Sequence, residues 1–212
     1  MGRIFAVGDI HGCLDKLLRL MDLVDVNPER DTLLFVGDYI DRGPRSKEVV
    51  DYMIRLRGSF RHIIFLKGNH EFLLERYLEG TESAMFLANG GDATLESYMR
   101  ADGTGRSGSA FPEDHLQFFN DLHLYHETDG FIFVHGGLRP GVPLEDQSEW
   151  DMLWIRDEFI YSDFDFGKRV IFGHTPFRRP LVLDNKIGID TGAVYGNKLT
   201  CVELPAVRFY SV

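Results

Sequence analysis

The sequence is poor in cysteine and in positive charge, and it contains no long hydrophobic run. Two cysteines, Cys13 and Cys201, cannot build a disulfide framework in a chain of 212 residues; each reads as a small buried thiol. No apolar stretch approaches the roughly 18 residues that a membrane span requires, so no membrane partner is expected. Lys and Arg number 23 against 33 Asp and Glu, for a net charge of -10. So acidic a chain lacks the basic surface that nucleic-acid phosphates demand, and no nucleic-acid partner is expected either. The opening residues MGRIFA form neither a secretory signal nor a myristoylation site, because Ala6 stands where Ser or Thr is needed. A cytoplasmic protein is expected. No Pro-, Gly- or Ser-rich linker divides the sequence and no repeat recurs in it, so residues 1–212 read as one domain. Oligomeric state is not legible.

What is present begins with hydrophobic residues, 44% of the chain and enough for a buried core. The first third alternates short apolar runs with helical spacing. RIFAV (3–7), TLLFV (32–36) and HIIFL (62–66) read as strands; CLDKLLRLMDLV (13–24), SKEVVDYMIRLR (46–57) and EFLLERYL (71–78) read as helices. This βαβαβα order predicts an α/β protein with crossover helices, its strands apolar on both faces. The middle, 80–110, is rich in glycine and small polar residues, and ADGTGRSGSA (101–110) reads as a flexible loop. From residue 122 onward strand candidates dominate: LHLYHE, FIFV, RVIF, LVL, KIGI, LTCVEL and VRFY.

Each early strand ends in a polar, glycine-flanked tip: GDIHG, GDYIDRG and GNHE. Sites in such sheets form beyond the carboxyl ends of the strands. The tips would therefore pool Asp9, His11, Asp38, Asp41, Arg42, Asn69, His70 and Glu71, while FIFVHGG and RVIFGHT deliver His135 and His174. Any one of these, taken alone, is more often a turn residue, a helix cap or a structural histidine. The coincidence of five such strand ends argues for a site. Clustered carboxylates repel unless a cation neutralises them. Asp, Asn and His without thiolate favour Mn, Fe or Zn, and the ligand count suits two ions about 3.5–4 Å apart with one carboxylate bridging them. Such a pair would activate a water, Arg42 would fork onto phosphate oxygens, and a nearby His would protonate the leaving oxygen. His62, His115, His123 and His126 lack the strand-tip setting and read as surface or core; Phe131, Phe133 and Phe172 read as core. Tyr195, in DTGAVYG, reads equally as a residue over the site or as packing.

GDIHG, 24 residues, GDYIDRG, 24 residues, then GNHE resembles the signature of the phosphoprotein phosphatase family of metallophosphoesterases. HGG (135–137) and GHT (173–175) resemble its later histidine motifs, and NGGDATLESY and LWIRDEF resemble its compact bacterial and phage branch. The resemblance spans about residues 3–196. It implies a four-layer α/β/β/α sandwich with two mixed β-sheets. It implies Asp9 and His11 on a first metal, Asp38 bridging, and Asn69, His135 and His174 on a second, with Mn²⁺ ahead of Fe or Zn. Arg42 and Arg156 would hold phosphate, and His70 would be the general acid, with Asp41 orienting its imidazole and favouring its charged form. The expected activity is that of a protein serine/threonine phosphatase, with direct attack by a hydroxide held between two metals and a phosphorylated protein or peptide as substrate. A symmetrical diadenosine tetraphosphate hydrolase of the same superfamily is the alternative, and a non-enzymatic phosphoprotein-binding module is a third reading.

Overall fold

A computed structural model describes residues 2–102 and 111–212. In chain order the elements are β1 (Ile4–Val7), α1 (Leu14–Leu23), β2 (Thr32–Phe35), α2 (Ser46–Arg57), β3 (Ile63–Phe65) and α3 (Asn69–Leu78). There follow α4 (Ser83–Phe86), a π-helical turn (Leu87–Gly91), α5 (Asp92–Asp102), α6 (Glu113–Asn120), β4 (Tyr125–Glu127) and β5 (Phe131–Val134). Then come α7 (Glu149–Trp154), α8 (Asp157–Ile160), β6 (Arg169–Phe172), β7 (Leu181–Val182), β8 (Lys186–Gly188), β9 (Thr200–Leu204) and β10 (Arg208–Ser211). All ten strands among the described residues fall inside or within a residue of the apolar runs. The stretch read as a flexible loop, 101–110, overlaps the end of α5 at its first two positions and otherwise lies outside the described residues.

Two mixed sheets form. The first has the order β10-β9-β1-β2-β3, with β1, β2 and β3 parallel and β9 antiparallel to β1. The second has the order β4-β5-β6-β8-β7, with β5, β6 and β8 parallel between antiparallel edges. Side-chain alternation explains their stacking. Ala6, Leu34 and Val36 face Phe133, Ile171 and Ile187 between the sheets. On the other face of the first sheet, Phe5, Val7, Leu33 and Phe35 pack with Leu17, Leu20, Val49 and Met53 of α1 and α2. On the far face of the second, Ile132, Val134, Val170 and Phe172 meet Met152 of α7 and Phe159 and Ile160 of α8. Four layers result, α/β/β/α. The backbone around His123 joins the sheets: His123 N–H donates to the Phe65 carbonyl at 3.0 Å and its carbonyl accepts from Lys67 at 2.7 Å, just before β4 begins.

Candidate active site

The parallel strands of each sheet point their carboxyl ends at the same place. Asp9 follows β1, Asp38 follows β2, Asn69 and His70 open α3 after β3, His135 follows β5 and His174 follows β6. Their backbones are bent hard. Of the seven described non-glycine residues with positive φ, five are His11, Asp38, Asp41, Arg42 and His174. Such conformations cost free energy and concentrate at functional sites. Glycine gives the room. A Cβ on Gly173 would lie 2.2 Å from Asp9 Oδ1, and one on Gly68 would lie 2.1 Å from Asp38 Oδ1.

Asp38 is the hub. Its Oδ2 lies 3.4 Å from His11 Nε2 and 4.0 Å from His70 Nε2, and its Oδ1 lies 3.4 Å from His135 Nε2. Burial would raise this carboxyl, but the charges of His135 and His70 outweigh it and hold Asp38 well below the usual range. The imidazoles are aimed by their outer nitrogens. His11 Nδ1 donates to the Ile40 carbonyl at 2.8 Å, and His135 Nδ1 donates to the Val36 carbonyl at 2.9 Å. Each Nε2 is thereby left facing the cluster, the arrangement that orients metal-ligating histidines. Asn69 Oδ1 lies 3.0 Å from His135 Nε2 and 2.8 Å from His174 Nδ1, and Asp9 Oδ2 accepts the His174 amide at 2.9 Å.

Two buried groups in this network could each hold a cation: His11, Asp38 and His70, and Asp38, His135 and His174. They share Asp38. Asp9 Oδ1, His70 Nε2 and His174 Nε2 are buried without a hydrogen-bond partner among the described residues, which is costly unless something else satisfies them. Burial and the neighbouring charge of Asp190 push the Asp9 carboxyl well up. The donor set therefore fits divalent ions.

The GDYIDRG loop supplies more than the hub. His70 Nδ1 lies 2.6 Å from Asp41 Oδ2, so one proton is held between them. Asp41 is fixed in turn by Thr94, whose hydroxyl donates to Oδ1 at 2.6 Å and accepts the Asp41 amide at 2.9 Å. Burial moves both members of the pair toward neutrality, His70 down to about 4 and Asp41 well up, against the pull of Asp38 on His70. Arg42 reaches His11 Nε2 at 2.8 Å and lies 5.6 Å from the Tyr195 ring centre. Arg156 donates to Thr175 Oγ1, beside His174, at 3.3 Å. All ten residues singled out in the sequence are thus joined, directly or through Thr175.

Others were not singled out. Glu71, only pooled with the tips, accepts the amides of Asp38, Tyr39 and Gly68 at 2.8–2.9 Å and so sets the shape of two loops. Thr94 lies in NGGDATLESY, where nothing in spacing ties it to Asp41. Gly90 of that stretch accepts the Arg42 amide at 3.0 Å, and a Cβ there would meet Arg42 Cγ at 2.8 Å. Tyr195 is exposed beside Arg42, not packed in the core. Cys201 is buried as expected, whereas Cys13 is only partly so. His115 is buried, His62 and His123 are exposed, and Phe133 and Phe172 are fully buried.

This geometry is that of a metallophosphoesterase, and the chain belongs to the calcineurin-like phosphoesterase family, which it matches over residues 2–199. It is 29% identical to the asymmetrical bis(5'-nucleosyl)-tetraphosphatase PrpE of Bacillus velezensis, with 97% of this chain and 90% of that protein covered. A crystal structure of a candidate diadenosine tetraphosphatase is 25% identical with a TM-score of 0.77, covering 100% of this chain and 93% of that one. A protein serine/threonine phosphatase from Saccharomyces cerevisiae with similarity to human phosphatase PP5 has a TM-score of 0.64. It is 17% identical over 99% of this chain and 79% of that one, and the likeness carries the fold alone.

These relatives correct two expectations. The preference for a protein serine/threonine phosphatase, and for a phosphorylated protein or peptide as partner, is overturned by the near-full-length likeness to nucleotide hydrolases. The physical reason is that the shared motifs define where a phosphoryl group sits, not what is attached to it. The alternative named a symmetrical enzyme, whereas PrpE is asymmetrical. No helix among the described residues is long and apolar enough to cross a membrane.

Proposed function

We propose that this chain hydrolyses bis(5'-nucleosyl) tetraphosphates away from their midpoint, giving a nucleoside monophosphate and a nucleoside triphosphate. The observation that carries the chemistry is Asp38, one carboxylate shared by two buried ligand groups. The likeness to PrpE supports the choice of substrate. Asp9, His11 and Asp38 would hold one divalent ion and Asp38, Asn69, His135 and His174 a second, with Mn²⁺ the first choice for a set lacking thiolate. Bound there, the ions would polarise a phosphoryl oxygen and make a water acidic enough to deprotonate near neutrality.

The chain's own groups do the rest. Arg42 and Arg156 flank the cluster and bind phosphate oxygens through their planar forks. His70 Nε2 has no hydrogen-bond partner among the described residues and faces the cluster, so it is placed to pass a proton to the departing phosphate oxygen. Asp41 holds the other ring nitrogen and Thr94 holds Asp41, so the imidazole cannot turn away. Incubating the Mn²⁺-loaded protein with diadenosine tetraphosphate is expected to yield AMP and ATP in equal amounts. Two ADP would move the point of cleavage to the centre, and no turnover would refute the reading.

A further inference from the structure

Trp150 is 56% exposed, and what sets it apart from other exposed rings is what it stacks on. Its position is specific. Its ring stacks on that of Trp154, with centroids 5.2 Å apart and planes 21° from parallel. Trp154 in turn sets its edge against His174, with centroids 6.1 Å apart. A line of rings therefore runs from the ligand cluster to the surface and ends on an open indole face. Phe72 of α3 braces Trp150 edge-on, with centroids 6.5 Å apart, so the shelf is held from both halves of the molecule.

The cavity beside it, of about 320 Å³, is lined by Arg139, Trp150, Trp154, Arg156, Asp157 and Glu158; its size falls among the smaller ligand sites, which begin at about 300 Å³. Charge divides it. Arg156 stands on the side of the cluster, through Thr175, and suits phosphate. Arg139 is already occupied by Asp151, at 2.6 and 2.9 Å, and by Glu158 at 2.7 Å. With Asp157 and Glu158 at the rim, the outer part repels free anions while the tryptophan offers a flat apolar face. A ligand that fits both ends carries phosphate at one end and an uncharged planar ring at the other.

We propose that the outer face of Trp150, backed by Trp154, is the shelf on which a nucleobase of the substrate stacks while its phosphates lie against Arg156. This rests on the nucleotide reading of the site. Stacking uses the π-face common to all bases, so the shelf favours purines by area without selecting among them.

The chain has two tryptophans, both in this stack, so their fluorescence reports on the shelf directly. Trp150→Ala in the Mn²⁺-loaded enzyme is expected to raise KM for diadenosine tetraphosphate by about 5- to 150-fold, with the loss in KM rather than kcat. Trp150→Tyr should recover most of it. ATP should quench the tryptophan emission of the wild type, and the remaining emission of Trp150→Ala should respond only at much higher ATP. If the wild type turns over the dinucleotide while Trp150→Ala shows an unchanged KM, the shelf is refuted and the reaction stands. If the wild type does not turn it over at all, the nucleotide reading falls and this inference falls with it.

Discussion

Asp38 carries more than any other single side chain, because its two oxygens face different imidazoles. Asp38→Asn removes the charge and halves the acceptor capacity, so elemental analysis is expected to find fewer than two metals per chain; two retained metals would refute the bridging role. His70 tests the proton transfer. A departing phosphate is a weak base, with a second pKa near about 6, whereas a departing alkoxide is a strong one and needs the proton far more. His70→Asn should therefore slow alkyl phosphoesters by about 10²–10⁴-fold but dinucleoside tetraphosphates by much less. Equal losses on both would remove His70 from the acid role. These residues were legible because each follows an apolar run and sits among glycines. Thr94 and Trp150 were not, because they lie on helices whose approach to the site is set by tertiary packing alone.

At the level of elements, the strands were readable as short β-branched and aromatic runs, and α2 was readable to the residue. The helices α5 to α8 are not legible in this way. Two of them span only six and four residues, too short for a 3.6-residue period to show. The helical layer on the first sheet has its own polar tie. His115 of α6 accepts from the Tyr98 hydroxyl of α5 at 2.8 Å and donates to Asp51 of α2 at 2.9 Å. Burial lowers this imidazole below its ordinary 6.5, against the opposing charge of Asp51 and Asp114 and with help from Lys47. The native state thus binds fewer protons than the unfolded chain once pH drops under 6.5. Stability contributed by neutral His115 is present above that value and is lost as pH falls through the native pKa. Thermal melts at about pH 7 and pH 5 should show this fall, and His115→Gln should shrink the difference between them while lowering both melting temperatures.

On the scale of the whole molecule, the site lies where two sheets converge, with Asp38 from the first facing His135 and His174 from the second. Ions bound there tie the layers together and select the native state. At 100 times Kd each such ligand adds about 2.7 kcal/mol, so Mn²⁺ is expected to raise Tm over a chelated sample by roughly 5–10 °C for each ion held, about 10–20 °C for two. An unchanged Tm would mean that the cluster does not hold metal. Substrate identity was the part least legible in the motifs, because it depends on surfaces such as the Trp150 shelf and not on the strand tips. The pairing of Ile4 with Leu204 and of Val7 with Cys201 has a consequence for biosynthesis. Translation at about 5–20 residues per second leaves β1, the strand that leads to Asp9, with one raw edge for roughly 10–40 s after it leaves the ribosome. Throughout that interval a neighbouring nascent chain competes for the seat reserved for β9, so crowded polysomes are where this protein is most exposed to misassembly.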